Sequence, residues 1–157
     1  MKTSVQKAFL VLFVFVAFSC SKETINDTNI NAENITVVET ELLQIVNDYR
    51  ASIGYNALTH SDIAYEQANA HNNYMIAKGN LSHDNFSARA STISIEVDAE
   101  YVAENVAKDY STAKEALKGW LNSIKHKSTI EGEFTHTGIS VKKDINNQLY
   151  FTQLFFR

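Results

Sequence analysis

The chain has 157 residues, enough for one domain of ordinary size and a small appendage. Hydrophobic residues make up 45% and charged residues 20%, which excludes disorder along the whole chain; the absence of Pro, with only 5 Gly, excludes collagen-like and Pro/Gly-rich architectures. The 14 basic against 18 acidic residues, net −4, lack the positive excess of a nucleic-acid binder, so no nucleic-acid partner is expected.

The chain opens with an export signal. Lys2 and Lys7 precede an apolar run over residues 8–18. At about 1.5 Å per residue the run is too short for a bilayer core of about 30 Å, and it has the length of a signal-peptide apolar segment. It ends in Ala17-Phe18-Ser19-Cys20, which resembles the lipobox of bacterial lipoproteins, with Phe18 where a small or aliphatic residue is usual. In that family the cysteine becomes the lipidated first residue. Cys20 is the only cysteine, so no intramolecular disulfide forms. Residues 1–19 are read as signal peptide and Cys20 as the membrane anchor, against the alternative of a stray cysteine in a transmembrane helix. Residues 20–36, polar and rich in Asn and Thr, are read as a flexible tether to a domain spanning 37–157. Ser21-Lys22-Glu23 resembles surface-export signals of some Gram-negative lipoproteins, which places the protein at the outer membrane or cell surface.

Within the domain, Leu42, Val46, Tyr49 and Ile53 predict a helix over Val38 to Ser52, stopped by Gly54. A second helix starts after Ser61 as N-cap and ends at Gly79. Asn80 to Phe86 reads as a loop, Phe86 to Ser94 as a short helix and Tyr101 to Ala107 as a strand. A further helix begins at Ser111 or Thr112, with Glu115 completing a capping box and Ala113, Ala116, Leu117, Trp120, Leu121 and Ile124 facing inward. Thr137 to Val141 and Leu149 to Phe156 read as strands joined by a turn at Asp144 to Asn147. Helices first and a hairpin last predict an α+β fold, with helices covering a mainly antiparallel sheet.

Six segments occur in one order. They are Ile45 to Arg50 with Leu58; Ala68 to Met75 followed by Gly79, Leu81, Ser82 and His83; Ala103-Glu104-Asn105-Val106; Trp120 to Ser123 followed by His126; Thr137 to Val141; and Tyr150 to Gln153. Together they resemble the CAP superfamily (cysteine-rich secretory proteins, antigen 5, pathogenesis-related 1) in its cysteine-free bacterial branch. Ala103 replaces the Gly of the Gly-Glu-Asn signature, and Trp120-x-x-Ser123-x-x-His126 follows the bacterial pattern. The resemblance implies an α-β-α sandwich in a secreted or surface-exposed protein. Many members carry two His and two Glu in a cleft. His83 and Glu104 match the first His and first Glu, whereas Ser123 stands at the second Glu and Tyr150 at the second His. With half of that set replaced, the resemblance alone does not carry over the metal site of the animal members.

His83, Glu104 and His126 also stand out on chemical grounds. Two imidazoles and a carboxylate are the ligand types of a Zn²⁺ site with an open position, and the same groups serve general acid–base chemistry. Convergence in one cleft would permit a divalent metal, Zn or Ca; the competing reading is a hydrogen-bonded structural cluster. Asn105 is expected to brace a loop. His60 is expected in the loop before the second helix, His71 as a packed core residue and His136 beside a strand. Trp120 is expected in the core, and Lys118 with Lys125, His126 and Lys127 as a solvated basic edge. Three functions remain open. The leading one is a monomeric, non-enzymatic surface module binding a small hydrophobic ligand, a glycan or a protein partner. The others are a metal-dependent hydrolase (peptidase or nuclease) using His83, Glu104 and His126, and a purely structural envelope protein. No Ser-His-Asp elbow or reactive cysteine is visible.

Overall fold

A computed structural model describes residues 32–157. Cys20, the signal peptide and most of the tether lie outside the described residues. The chain order is β1 (Glu33–Asn34), α1 (Thr36–Ser52), β2 (Thr59–His60), α2 (Asp62–Lys78), α3 (Phe86–Val97), β3 (Val102–Lys108), α4 (Ala113–Leu121), α5 (Ile124–Ile130), β4 (His136–Lys143) and β5 (Leu149–Phe156). The sheet runs β1-β4-β5-β3, with β2 lying parallel to β4. The main ladders, β3 with β5 and β4 with β5, are antiparallel.

Strand alternation divides the core between two faces. Ala107, Ile139, Val141, Phe151 and Phe155 point toward α1 and α4, where they meet Leu42, Val46, Leu117 and Trp120. Val106, Tyr150, Leu154 and Phe156 point the other way, toward α2 and α3, and meet Ala64, Ala68, Met75 and Ile93. Helices therefore cover both faces, and β4 and β5 are buried along nearly their whole length. This is the α-β-α sandwich.

The buried stripe of α2 begins with Ala64 and Ala68, whose small side chains let that end of the helix lie close on the sheet. Gly138 of β4 sits directly beneath it, and a Cβ there would overlap the backbone of Ala64 and Tyr65. On the opposite face Arg50 is buried. It donates from Nε to Asn56 O (2.9 Å), from Nη1 to Ile130 O (2.5 Å) and Gly132 O (2.9 Å), and from Nη2 to Phe134 O (3.2 Å). The guanidinium thus ties the end of α1 to the α5–β4 connection.

Most predicted boundaries fall within a few residues of the observed ones, and three differences have physical causes. First, Glu33–Asn34, read from sequence as tether, pair with β4. Asn34 Nδ2 donates to Glu39 Oε1 (3.1 Å), Tyr65 Oη (2.9 Å) and Asn69 Oδ1 (2.9 Å), so a polar residue is here part of the fold. Second, α3 continues to Val97 before Asp98 turns left-handed at φ 53°. Third, Ile124 is not an inward position of α4. That helix ends at Leu121, and Ile124 begins α5 with 88% exposure. The capping box of α4 does form: Thr112 Oγ1 accepts from Glu115 N (3.2 Å), and the Glu115 carboxylate accepts from Ser111 N (2.8 Å).

Candidate functional site

The site is built around the edge strand β3. Alternation sends Glu104 to the α2–α3 side and Asn105 to the α4–α5 side. The Glu104 side chain is only 1% exposed. A carboxylate so buried needs partners, and it has them. Arg89 of α3 grips it with both arms of its fork, Nε to Oε2 at 2.8 Å and Nη2 to Oε1 at 2.9 Å. The third arm, Nη1, donates to Asp84 O at 2.7 Å and so holds the loop that carries His83. His83 Nδ1 donates to Glu104 Oε1 at 2.8 Å. That contact places a proton on Nδ1 and leaves Nε2 directed away from Glu104 on a side chain 53% exposed.

His71 of α2 lies behind this pair. It is buried, donates Nε2–H to Ser82 O at 2.8 Å, and its Nε2 lies 3.9 Å from Glu104 Oε1. Its Nδ1 has no hydrogen-bond partner among the described residues. Burial lowers the His71 pKa from its ordinary 6.5; the charges of Arg89 and His83 push the same way, and Glu104 opposes them. The ring is neutral at pH 7. Because the unfolded ring still titrates near 6.5, the unfolded state binds more protons as pH drops below that value. Stability therefore falls from about pH 6.5 downward until the folded ring also protonates. Replacing His71 by Gln keeps an N–H donor for Ser82 O and removes the titration. We expect urea midpoints at about pH 7 and about pH 5 to differ less in His71→Gln than in the parent, the residue of the difference coming from His126. Equal differences would refute the assignment.

His126 approaches from the other side of β3. It is half-buried on α5, and its backbone carbonyl accepts from Asn105 Nδ2 at 3.0 Å. Its pKa is lowered, first by burial and then by the charge of His83. Asn105 thus ties β3 to helix α5, and its Oδ1 is left unpartnered among the described residues. Ser123 is the N-cap position of α5, where its side chain makes no capping bond. Tyr150 does not join the group. It pairs with Lys108, four residues along β3 from Glu104, or about 13 Å at 3.3 Å per residue. It is 2% exposed and packs with Met75 and Val106, under the Lys108 ammonium.

The structure therefore brings His83, Glu104 and His126 to one stretch of the sheet edge, and adds His71 and Arg89. The three-ligand metal geometry does not form. Both Glu104 oxygens are held by Arg89 and His83, and among the described residues no group of three His, Cys, Asp or Glu is placed to hold an ion. Arg89 was not anticipated from sequence. Its signal was a lone basic residue in the otherwise uncharged stretch Phe86 to Ile95. His60 lies just before α2 and pairs with Asp62 at 3.2 Å, and His136 stacks on Phe156. Trp120 is in the core, its indole N–H bonded to Val106 O at 3.1 Å.

Residues 43–155 match the family model of CAP, the cysteine-rich secretory protein family. The chain belongs to this family. Among curated proteins the CAP domain is similar to the uncharacterised membrane protein YlbC of Bacillus subtilis, 29% identical over 126 residues, or 78% of this chain and 35% of that protein. The chain thus spans about a third of that relative. Among solved structures, an outer surface protein from Borrelia burgdorferi superposes with a TM-score of 0.73 at 17% identity, covering 82% of this chain and 98% of that one. An extracellular SCP-domain protein from Bacillus anthracis superposes at 0.69 with 25% identity, covering 78% and 41%. The CAP fold is shared with these structures.

Proposed function

We propose that this CAP domain is exported, held at the bacterial cell envelope by lipid on Cys20, and binds a small hydrophobic ligand, a glycan or a protein partner without turning it over. The observation that carries the non-enzymatic reading is the bidentate Arg89–Glu104 pair. Both oxygens of this carboxylate are already engaged by Arg89 and His83, so it is not free to bind metal. In addition, no Ser, Thr or Cys among the described residues is hydrogen-bonded to the His83 or His126 ring, so a nucleophile–base pair is missing there. The exposed His83 ring and the half-buried His126 ring are suited to contact a ligand. Export and anchoring rest on the lipobox-like Ala17 to Cys20. The membrane location of YlbC and the outer-surface location of the Borrelia burgdorferi protein agree with that reading.

Two measurements test it. In cells fed labelled palmitate, the parent chain should carry label and sediment with membranes, whereas Cys20→Ser should do neither; equal labelling of both would remove the anchor. The purified chain should leave casein and single-stranded DNA intact, with or without millimolar Zn²⁺ or Ca²⁺. Cleavage that disappears in His83→Ala would replace this reading with the metal-dependent hydrolase.

A further inference from the structure

We propose that Lys142 and Asn34 join their side chains in an isopeptide bond, with Glu39 as the proton carrier, so that the N-terminal segment is covalently fastened to β4. The cleft plays no part in this bond, so the bond and the binding reading stand or fall separately.

The register brings the two side chains together. Asn34 of β1 lies directly opposite Lys142 of β4. Ile35 N–H donates to Val141 O at 2.9 Å, one step to the side, which makes Asn34 and Lys142 a non-hydrogen-bonded pair. Directly opposed Cβ atoms are about 4.5–5.5 Å apart, and pairs of this kind lie at the short end. Both side chains stand on the α2 face. Asn34 bonds to Tyr65 and Asn69 of α2, and Ser140, two residues before Lys142, donates to Asn69 Oδ1 at 3.0 Å. The four-carbon stem of lysine spans the remaining gap.

Each group has the chemistry the bond needs. Lys142 is 7% exposed, and on β5 the buried Tyr150 lies opposite it. Among the described residues its amine makes no ion pair or hydrogen bond, whereas the next residue, Lys143, pairs with Glu33 at 3.1 Å. An ammonium placed there without a counter-charge in contact is costly. Burial lowers the Lys142 pKa, with the charge of Glu39 opposing it. The neutral amine that burial favours is the nucleophilic form. Asn34 cannot swing aside, because Glu39, Tyr65 and Asn69 all accept from its Nδ2. Glu39 is itself buried and fixed, its Oε1 accepting from Val141 N–H at 2.9 Å. A carboxylate thus touches the nitrogen that must leave.

The step balances without an oxidant or cofactor. Lys142 Nζ attacks Asn34 Cγ, the Nζ–Cγ bond forms and the Cγ–Nδ2 bond breaks. Glu39 takes the proton that Nζ sheds and delivers it to Nδ2, which leaves as ammonia. Fixed orientation replaces an external catalyst, since well-placed intramolecular groups react as if at about 10⁵–10⁸ M. The consequence is mechanical. β1 has only two residues, and hydrogen bonds alone would hold the preceding chain weakly. The bond would pass a pull on that chain directly to β4, which is laddered to β5 along its whole length.

Mass spectrometry tests it on the full chain, produced in a bacterium, purified in detergent, then unfolded and digested with trypsin. The bond requires one branched peptide, residues 23–50 joined to residues 128–143 through Asn34 and Lys142. Its mass must lie below that of the two peptides together by one ammonia, about 17 Da. Trypsin does not cut after an acylated lysine, so Lys142 and Lys143 stay joined in it. Asn34→Asp should give the same branched peptide by loss of water, about 18 Da, and Lys142→Arg should give none. Glu39→Gln keeps the shape but not the proton carrier, so its linked fraction should fall about tenfold or more. Residues 23–50 and 128–142 recovered as separate peptides from folded parent chain aged for a week would overturn the proposal. So would a bond from Lys142 to any other residue, or undiminished linkage in Glu39→Gln. The parent chain alone gives the first answer, so no variant needs to fold for the test to count.

Discussion

Replacing Arg89 by Met is expected to cost about 3–5 kcal/mol of stability, because it leaves the Glu104 carboxylate buried without its cation. For a domain whose total stability is of order 5–15 kcal/mol this is a large fraction. His83 does not compensate, since it supplies one hydrogen bond where Arg89 supplies two. The decisive comparison is Arg89→Met with Glu104→Gln in the same chain. Removing the charge removes most of the penalty, so the double variant should be more stable than Arg89→Met alone. The two losses are thus non-additive, as for residues in direct contact. Denaturant midpoints of the four proteins give the coupling. Additive losses would show that Arg89 acts through something other than Glu104, and the argument against a free catalytic or metal-binding carboxylate would fall with it.

Gly138→Ala is expected to cost about 3 kcal/mol or more, at the upper end of overpacking penalties. The added methyl meets the backbone of Ala64 and Tyr65 rather than a side chain that can swing aside. α2 must therefore lift off β4. That helix also carries Asn72, which donates to Ser140 O at 2.8 Å and accepts from Thr152 Oγ1 at 2.7 Å, and these buried bonds stretch together. The same shift moves His71 away from Ser82 O. We therefore expect thermal unfolding to fall by many degrees and the His71 ring resonances to move, although residue 138 lies two strands across the sheet from Glu104, which that ring neighbours. A loss under about 1 kcal/mol would mean that the helix-to-sheet spacing is softer than the packing implies.

The fold was largely legible because its signals are local. The helical spacing of Leu42 and Val46, the Ser61 and Gly79 boundaries of α2, the Thr112–Glu115 box and the β-rich final strands each act within a few residues. Ile124 misled because its spacing continues the apolar face of α4, while Asn122 and Ser123 end that helix and start another. Asn34 misled because a polar residue is tether or buried network according to what surrounds it, and its partners Tyr65 and Asn69 are more than thirty positions away. Of the site, His83, Glu104 and His126 were identified by chemistry and by their place in the family's segment order. Tyr150 matched by position only. Register sets it four residues from the partner of Glu104, and burial closes it off.

By itself, then, the sequence determined the elements, the family and the residue types able to do chemistry, since propensity, capping and motif order act over short stretches of chain. Only the tertiary structure decided what those residues can do. Whether Glu104 is a base, a ligand or half of an ion pair depends on Arg89 arriving from another helix. Its availability is set by distance and burial between elements, quantities that no linear spacing encodes.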